Sequence, residues 1–88
     1  MPPLSAVSCG PGCVTHAELR YHNSSIDLWV SFFGTVYDLT SFQYQHPGGQ
    51  DNILSHAGRD GTSAFQRVHQ KNVLSTVRDN IVGKLQGS

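Results

Sequence analysis

Net charge is the first thing this chain lacks. Six basic residues balance six acidic ones among 88, so there is no basic footprint for nucleic acid. Long apolar runs are missing too: none approaches the roughly 20 residues that a membrane-spanning helix needs. The segment from Met1 to Val7 has neither a basic n-region nor a continuous apolar h-region, so it does not read as a signal peptide. Cysteine is confined to Cys9 and Cys13, within Cys-Gly-Pro-Gly-Cys. This is not the Cys-x-x-Cys-His pattern of covalent haem attachment, and no second pair exists to complete a zinc site. Because intracellular disulfides are rare, two reduced thiols are expected. The chain has no nucleotide-binding glycine fingerprint, no nucleophile with a base and an orienting partner, and no internal repeat. These absences describe a soluble, cytoplasmic, monomeric protein that binds no nucleic acid and is not itself an enzyme.

What is present divides into a leader and a body. Residues 1–13 hold three of the four prolines, a composition unlikely to pack, and are read as a flexible leader. Residues 14–86 are read as one domain, whose core must be thin at this size. Thr15 is the expected N-cap of a helix from His16 to about Tyr21, with Glu18 completing a capping box. The stretch Leu28–Phe33, a Gly34-Thr35 turn and the stretch Val36–Leu39 read as a strand pair. Thr40 or Ser41 starts a short helix that His46-Pro47 stops. A second helix follows from Gln50 to His56, with Gly58 as its stop. Asp60 is the expected N-cap of a third helix through Ala64, Phe65 and Val68. The last helix runs from Val73 to Asn80 with Leu74 and Val77 inward, and Ile81–Leu85 is a closing strand.

The four helices between residues 41 and 80 then form a four-walled basket over a small sheet. Two histidines belong to it: His46 opens His46-Pro47-Gly48-Gly49, and His69 closes Phe65-Gln66-Arg67-Val68-His69. Two imidazoles facing each other across an apolar cleft can hold a haem iron at both axial positions. No open coordination site is left, which argues for electron transfer. Phe42, Ile53, Leu54, Phe65, Val68 and Leu74 are the candidate walls. Gly48 and Gly49 allow backbone to approach the ring edge, and Lys71 or Asn72 is a candidate propionate contact. His22 is read as structural, His16 as solvated, and His56 as facing solvent or the mouth of the basket. Trp29 and Tyr37 read as core.

The body resembles a cytochrome b5 domain. The matching strings are Leu28-Trp29-Val30, Val36-Tyr37-Asp38-Leu39-Thr40 with Phe42, His46-Pro47-Gly48-Gly49, Ala57-Gly58-Arg59-Asp60-Gly61-Thr62 with Phe65, His69, and Ile81-Val82-Gly83. The resemblance implies an α+β fold, a small mixed sheet with two helix pairs. It also implies a non-covalent haem b whose iron is ligated by His46 and His69, with Phe42 and Phe65 packing on the ring. The implied donor is a flavin-dependent NAD(P)H reductase, and the implied acceptor a haem or metal oxidoreductase, a desaturase or a hydroxylase. The interval from Phe65 to His69 is one residue shorter than in microsomal members and is similar to that of domains fused into larger oxidoreductases. Asp51 and Asp60 mix with Arg59, Arg67 and Lys71 along this stretch, so electrostatic steering should be weak. The membrane anchor of the microsomal members is missing from the sequence. Two alternatives stay open: an electron-entry domain of a larger fused oxidoreductase, and a haem-dependent binding or sensing module.

Overall fold

The computed structural model describes residues 9–45, 50–68 and 71–87. Its sheet is built around one hairpin, β3 (Asp27–Phe32) and β4 (Thr35–Asp38), paired antiparallel with Val30 opposite Tyr37 and Ser31 opposite Val36. The short β2 (Asn23–Ser24) lies on the outer side of β3. On the other side β4 pairs antiparallel with β6 (Ile81–Leu85), and β6 pairs in parallel with β1 (Cys13–Val14). The order is β1-β6-β4-β3-β2, with the two-residue β5 (Arg59–Asp60) also joined in parallel to β3. The α+β architecture expected from the sequence is the one observed.

Alternation along the hairpin splits the core in two. Successive side chains of a strand point to opposite faces, so Tyr37 joins Leu28, Val30, Leu39, Ile53, Ala57 and Val77 in a larger cluster. Its neighbour Val36 joins Val14, Leu19 and Leu85 in a smaller one, with Trp29 packed against it. The larger cluster lies under the helical segments and the smaller one under α1 (His16–Tyr21). Thr15 caps α1 as expected, its hydroxyl accepting from the Glu18 amide at 3.0 Å; such a cap is worth about 1 kcal/mol. His22, at the other end of α1, is structural in plain terms. Its ring stacks on Trp29 with centroids 3.5 Å apart, and Nδ1 lies 2.6 Å from Asp27 Oδ1.

Several expectations need correction. The hairpin turn is Phe33-Gly34, one residue earlier than the Gly34-Thr35 pair, and both residues have positive φ (52° and 78°), as a tight turn between twisted strands requires. The last helix is a 3₁₀ segment, Lys71–Asn80, kinked at Val77 (φ −119°). Ser75, Thr76 and Val77 are poor helix formers, and long 3₁₀ runs are unfavourable. His16 is exposed, yet its Nε2 lies 3.0 Å from the Gln86 carbonyl, 70 residues away in the chain. The cysteines are not free thiols: Cys9 and Cys13 form a disulfide, with Cα atoms 5.4 Å apart. Cys13, read as the end of the leader, is the first residue of β1.

Candidate functional site

One short motif, used twice, aims the chain from the sheet into the helical segments. At Asp38-Leu39-Thr40, Asp38 Oδ1 accepts from the Thr40 amide (3.1 Å) and the Thr40 hydroxyl (2.6 Å), while that hydroxyl accepts from the Leu28 amide (2.9 Å). At Asp60-Gly61-Thr62, Asp60 Oδ1 accepts from the Thr62 amide (3.3 Å) and hydroxyl (2.7 Å), and the hydroxyl accepts from the Phe33 amide (2.8 Å). The buried Ser31 hydroxyl donates to the same Asp60 oxygen at 3.0 Å. A carboxylate two residues before a threonine holds the turn, and the threonine ties it to β3. The two ties fall on Leu28 and Phe33, at either end of that strand.

Each clamp delivers a phenylalanine. Phe42 opens the first 3₁₀ turn, Phe42–Gln45, two residues after Thr40. Phe65 lies in α3, Thr62–Val68, three residues after Thr62. Gly61 lets α3 start close to the sheet, because a Cβ there would stand 2.9 Å from Phe32 Cε1 and 3.1 Å from Val30 Cγ1. Asp60, the expected N-cap, thus lies in β5 and acts on the helix from one residue before the cap position, which Gly61 occupies. Its Oδ1 accepts from Ser31 and Thr62, which fixes the exposed carboxylate against the start of α3.

The predicted wall residues converge on the larger cluster. Ile53, in α2 (Gln50–Leu54), is buried, and Leu54, Phe42 and Leu74 pack half-buried against the same group. The half-buried Phe65 ring lies 5.0 Å from that of Phe32 and meets Phe33 edge-on at 6.1 Å. Phe32, absent from the expected walls, also packs on this cluster and lies 5.7 Å from Tyr37. The period-2 pattern of β3 could have found it, since Phe32 shares a face with Leu28 and Val30. Burial alone raises the Tyr37 phenol above its usual pKa. His46, Gly48, Gly49 and His69 lie outside the described residues, as do the side chains of Val68 and Lys71. His56 follows α2 half-buried, with Nδ1 3.1 Å from the Ser55 hydroxyl. Among the described residues no helix is long and apolar enough to cross a membrane.

A small mixed sheet under short helical segments is the arrangement expected from the sequence, and the clamps that hold Phe42 and Phe65 are added by the structure. Residues 15–86 match the family model described as cytochrome b5-like Heme/Steroid binding domain. The chain belongs to the cytochrome b5-like family. It is similar to the solved cytochrome b5 of Ostreococcus tauri virus 2, with 36% identity, 82% of each chain covered and a TM-score of 0.78. Two curated relatives of this cytochrome b5-like domain are enzymes. L-lactate dehydrogenase (cytochrome) of Saccharomyces cerevisiae is 44% identical over 77 residues, 85% of this chain and 13% of the relative. Cytochrome b5 reductase 4 of Xenopus tropicalis is 38% identical over 73 residues, 82% of this chain and 14% of the relative. The cytochrome b5-like chain therefore spans only about one-seventh of the length of these enzymes.

Proposed function

We propose that this cytochrome b5-like domain is a one-electron carrier holding a non-covalent b-type haem between the imidazoles of His46 and His69. The observation that carries the reading is the half-buried apolar rim, in which Phe42, Leu54 and Leu74 come from three separate helical segments and pack on one cluster. A flat apolar macrocycle suits such a rim, because one face of it covers side chains that are far apart in sequence. His46 and His69 would hold the iron, and Phe42, Ile53, Leu54, Phe65, Val68 and Leu74 would pack on the ring. Gly48 and Gly49 would let backbone approach its edge, and Lys71 would pair with a propionate. When bound, the haem iron supplies a one-electron ferric/ferrous couple. The two imidazoles would tune the potential through their basicity and their hydrogen bonds.

The donor on this reading is a flavin-dependent NAD(P)H reductase. The acceptor is a haem or metal oxidoreductase, a desaturase or a hydroxylase. The short share of the curated relatives that the chain spans favours one further possibility, that it serves as the electron-entry unit of a larger oxidoreductase.

Absorption spectra of the haem-loaded protein test the ligation. Oxidised and dithionite-reduced samples, with and without carbon monoxide, are compared with His46→Ala and His69→Ala proteins. The parent should give sharp low-spin bands that ignore carbon monoxide, and each variant should lose haem or become sensitive to the gas. A high-spin or carbon-monoxide-binding parent would overturn the electron-carrier reading in favour of ligand binding or sensing.

A further inference from the structure

We propose that Cys9 and Cys13 form a thiol–disulfide exchange site for a dithiol reductant, and that its oxidation state sets how firmly β1 is held on β6. Between the two cysteines lies Gly10-Pro11-Gly12. The Cys13 amide donates to the Gly10 carbonyl at 3.0 Å, and Gly12 has a φ of +73°. Proline followed by a glycine of positive φ is the signature of a type II turn. That turn folds the two cysteines toward each other, and the disulfide closes it.

The closed turn is built onto the sheet. The Gly12 carbonyl accepts from the Lys84 amide at 2.7 Å, and two residues on the Val14 carbonyl accepts from Gln86 at 2.7 Å. The fit at the first rung is tight, since a Cβ on Gly83 would stand 2.5 Å from the Gly12 oxygen. Strand β1 has only two residues and lies at the sheet's edge. Two rungs are few, and an edge this short depends on whatever orders the chain leading into it. The disulfide is that constraint. Cys9 is exposed and Cys13 half-buried, so a reductant can reach the bond, and exposed disulfides are the exchangeable ones.

The exchange balances without a further reactant. A thiolate of the dithiol attacks Cys9 Sγ, forming a mixed disulfide and releasing the Cys13 thiolate. The second thiol of the reductant then displaces Cys9. The reductant leaves as its own disulfide, having given up two electrons and two protons, and Cys9 and Cys13 end as thiols. The larger cluster and the proposed haem walls take no part, so this site stands independently of the electron-carrier reading.

Amide hydrogen exchange on the purified full chain, with and without dithiothreitol, tests the inference. Iodoacetamide trapping reports whether the bond has opened. Reduction should leave both cysteines alkylated and speed exchange of the Lys84 amide on the order of tenfold, with a smaller rise at Gln86. The Leu85 amide, which donates instead to the Gly34 carbonyl at 2.8 Å, should not change. A Cys9→Ser/Cys13→Ser protein should match the reduced parent whether or not dithiothreitol is present. Resistance of the folded chain to dithiothreitol that readily reduces the urea-unfolded chain would overturn the exchange site. Full reduction with Lys84 exchange unchanged would overturn the control of β1.

Discussion

On one face of the β3–β4 hairpin, Val14, Leu19, Val36 and Leu85 are each at most 6% exposed, and Trp29 closes over them. On the other face, seven buried residues are followed outward by Phe32, Phe42, Leu54 and Leu74, all half-buried. The first face is sealed by its own side chains, drawn from strands and a capped helix. The second ends in apolar side chains held partway into water by short helical segments. Half-burying a large apolar side chain gives up part of its transfer free energy, which an apolar group covering this rim would recover. The comparison separates a face closed by its own side chains from a face that, on the proposed reading, the haem covers.

Truncation on each face gives the largest contrast. Leu85→Ala should cost about 3 kcal/mol in urea unfolding, whether or not haem is present, because it opens a cavity in the sealed cluster. Leu54→Ala should cost only about 1 kcal/mol in the haem-free chain but should release haem measurably faster to apomyoglobin. Equal losses in the haem-free chain, or unchanged haem release from Leu54→Ala, would remove the distinction.

The clamps give an intermediate effect. Thr62→Val keeps the shape of the side chain but leaves the Phe33 amide without its 2.8 Å acceptor, and about 1–2 kcal/mol should be lost. Near-ultraviolet circular dichroism should register the change around Phe65, whose segment starts at that clamp. A variant with parent stability and an unchanged aromatic signal would mean that the clamp does not set the wall.

The smallest effect belongs to Tyr37. Burial raises its folded pKa above the ordinary 10.0, so the folded chain keeps the phenol proton after the unfolded chain has lost it. Stability from this group is complete below about pH 10 and is lost as pH rises through the folded value. The melting temperature of the parent should therefore fall more steeply above pH 10 than that of Tyr37→Phe, and parallel curves would contradict it.

Much of the sealed face was legible in the sequence. Thr15 and Glu18 announced α1, and the aromatic and β-branched residues around the hairpin turn announced β3 and β4. The hairpin turn was displaced by one residue because Phe33, not a typical turn residue, accepts positive φ, where Thr62 holds its amide. Ile53, Leu54 and Leu74 were readable as inward-facing from helical spacing and Phe42 from the resemblance, and all four pack on one cluster. The disulfide was missed because the rarity of intracellular disulfides set the expectation of reduced thiols, although Pro-Gly between the two cysteines was a turn signal. His16 is exposed as expected, and its contact with the Gln86 carbonyl was not legible because that residue lies at the far end of the chain. The repeated Asp-x-Thr was visible as a string, but nothing local reveals that both threonines tie to one strand.

That shared strand acts as a ruler. The amides of Leu28 and Phe33, which anchor the two clamps, are five residues apart, so extended backbone sets them roughly 17 Å from each other. The chain leaves the sheet toward Phe42 from one mark and toward Phe65 from the other. The spread between the two walls is thus a length counted in residues of β3. Adding one residue to that strand would lengthen the gauge by about 3.4 Å and turn every side chain beyond the insertion to the opposite face. The spacing of the two clamps along β3 therefore changes in whole residues, each of which also reverses the faces of the sheet.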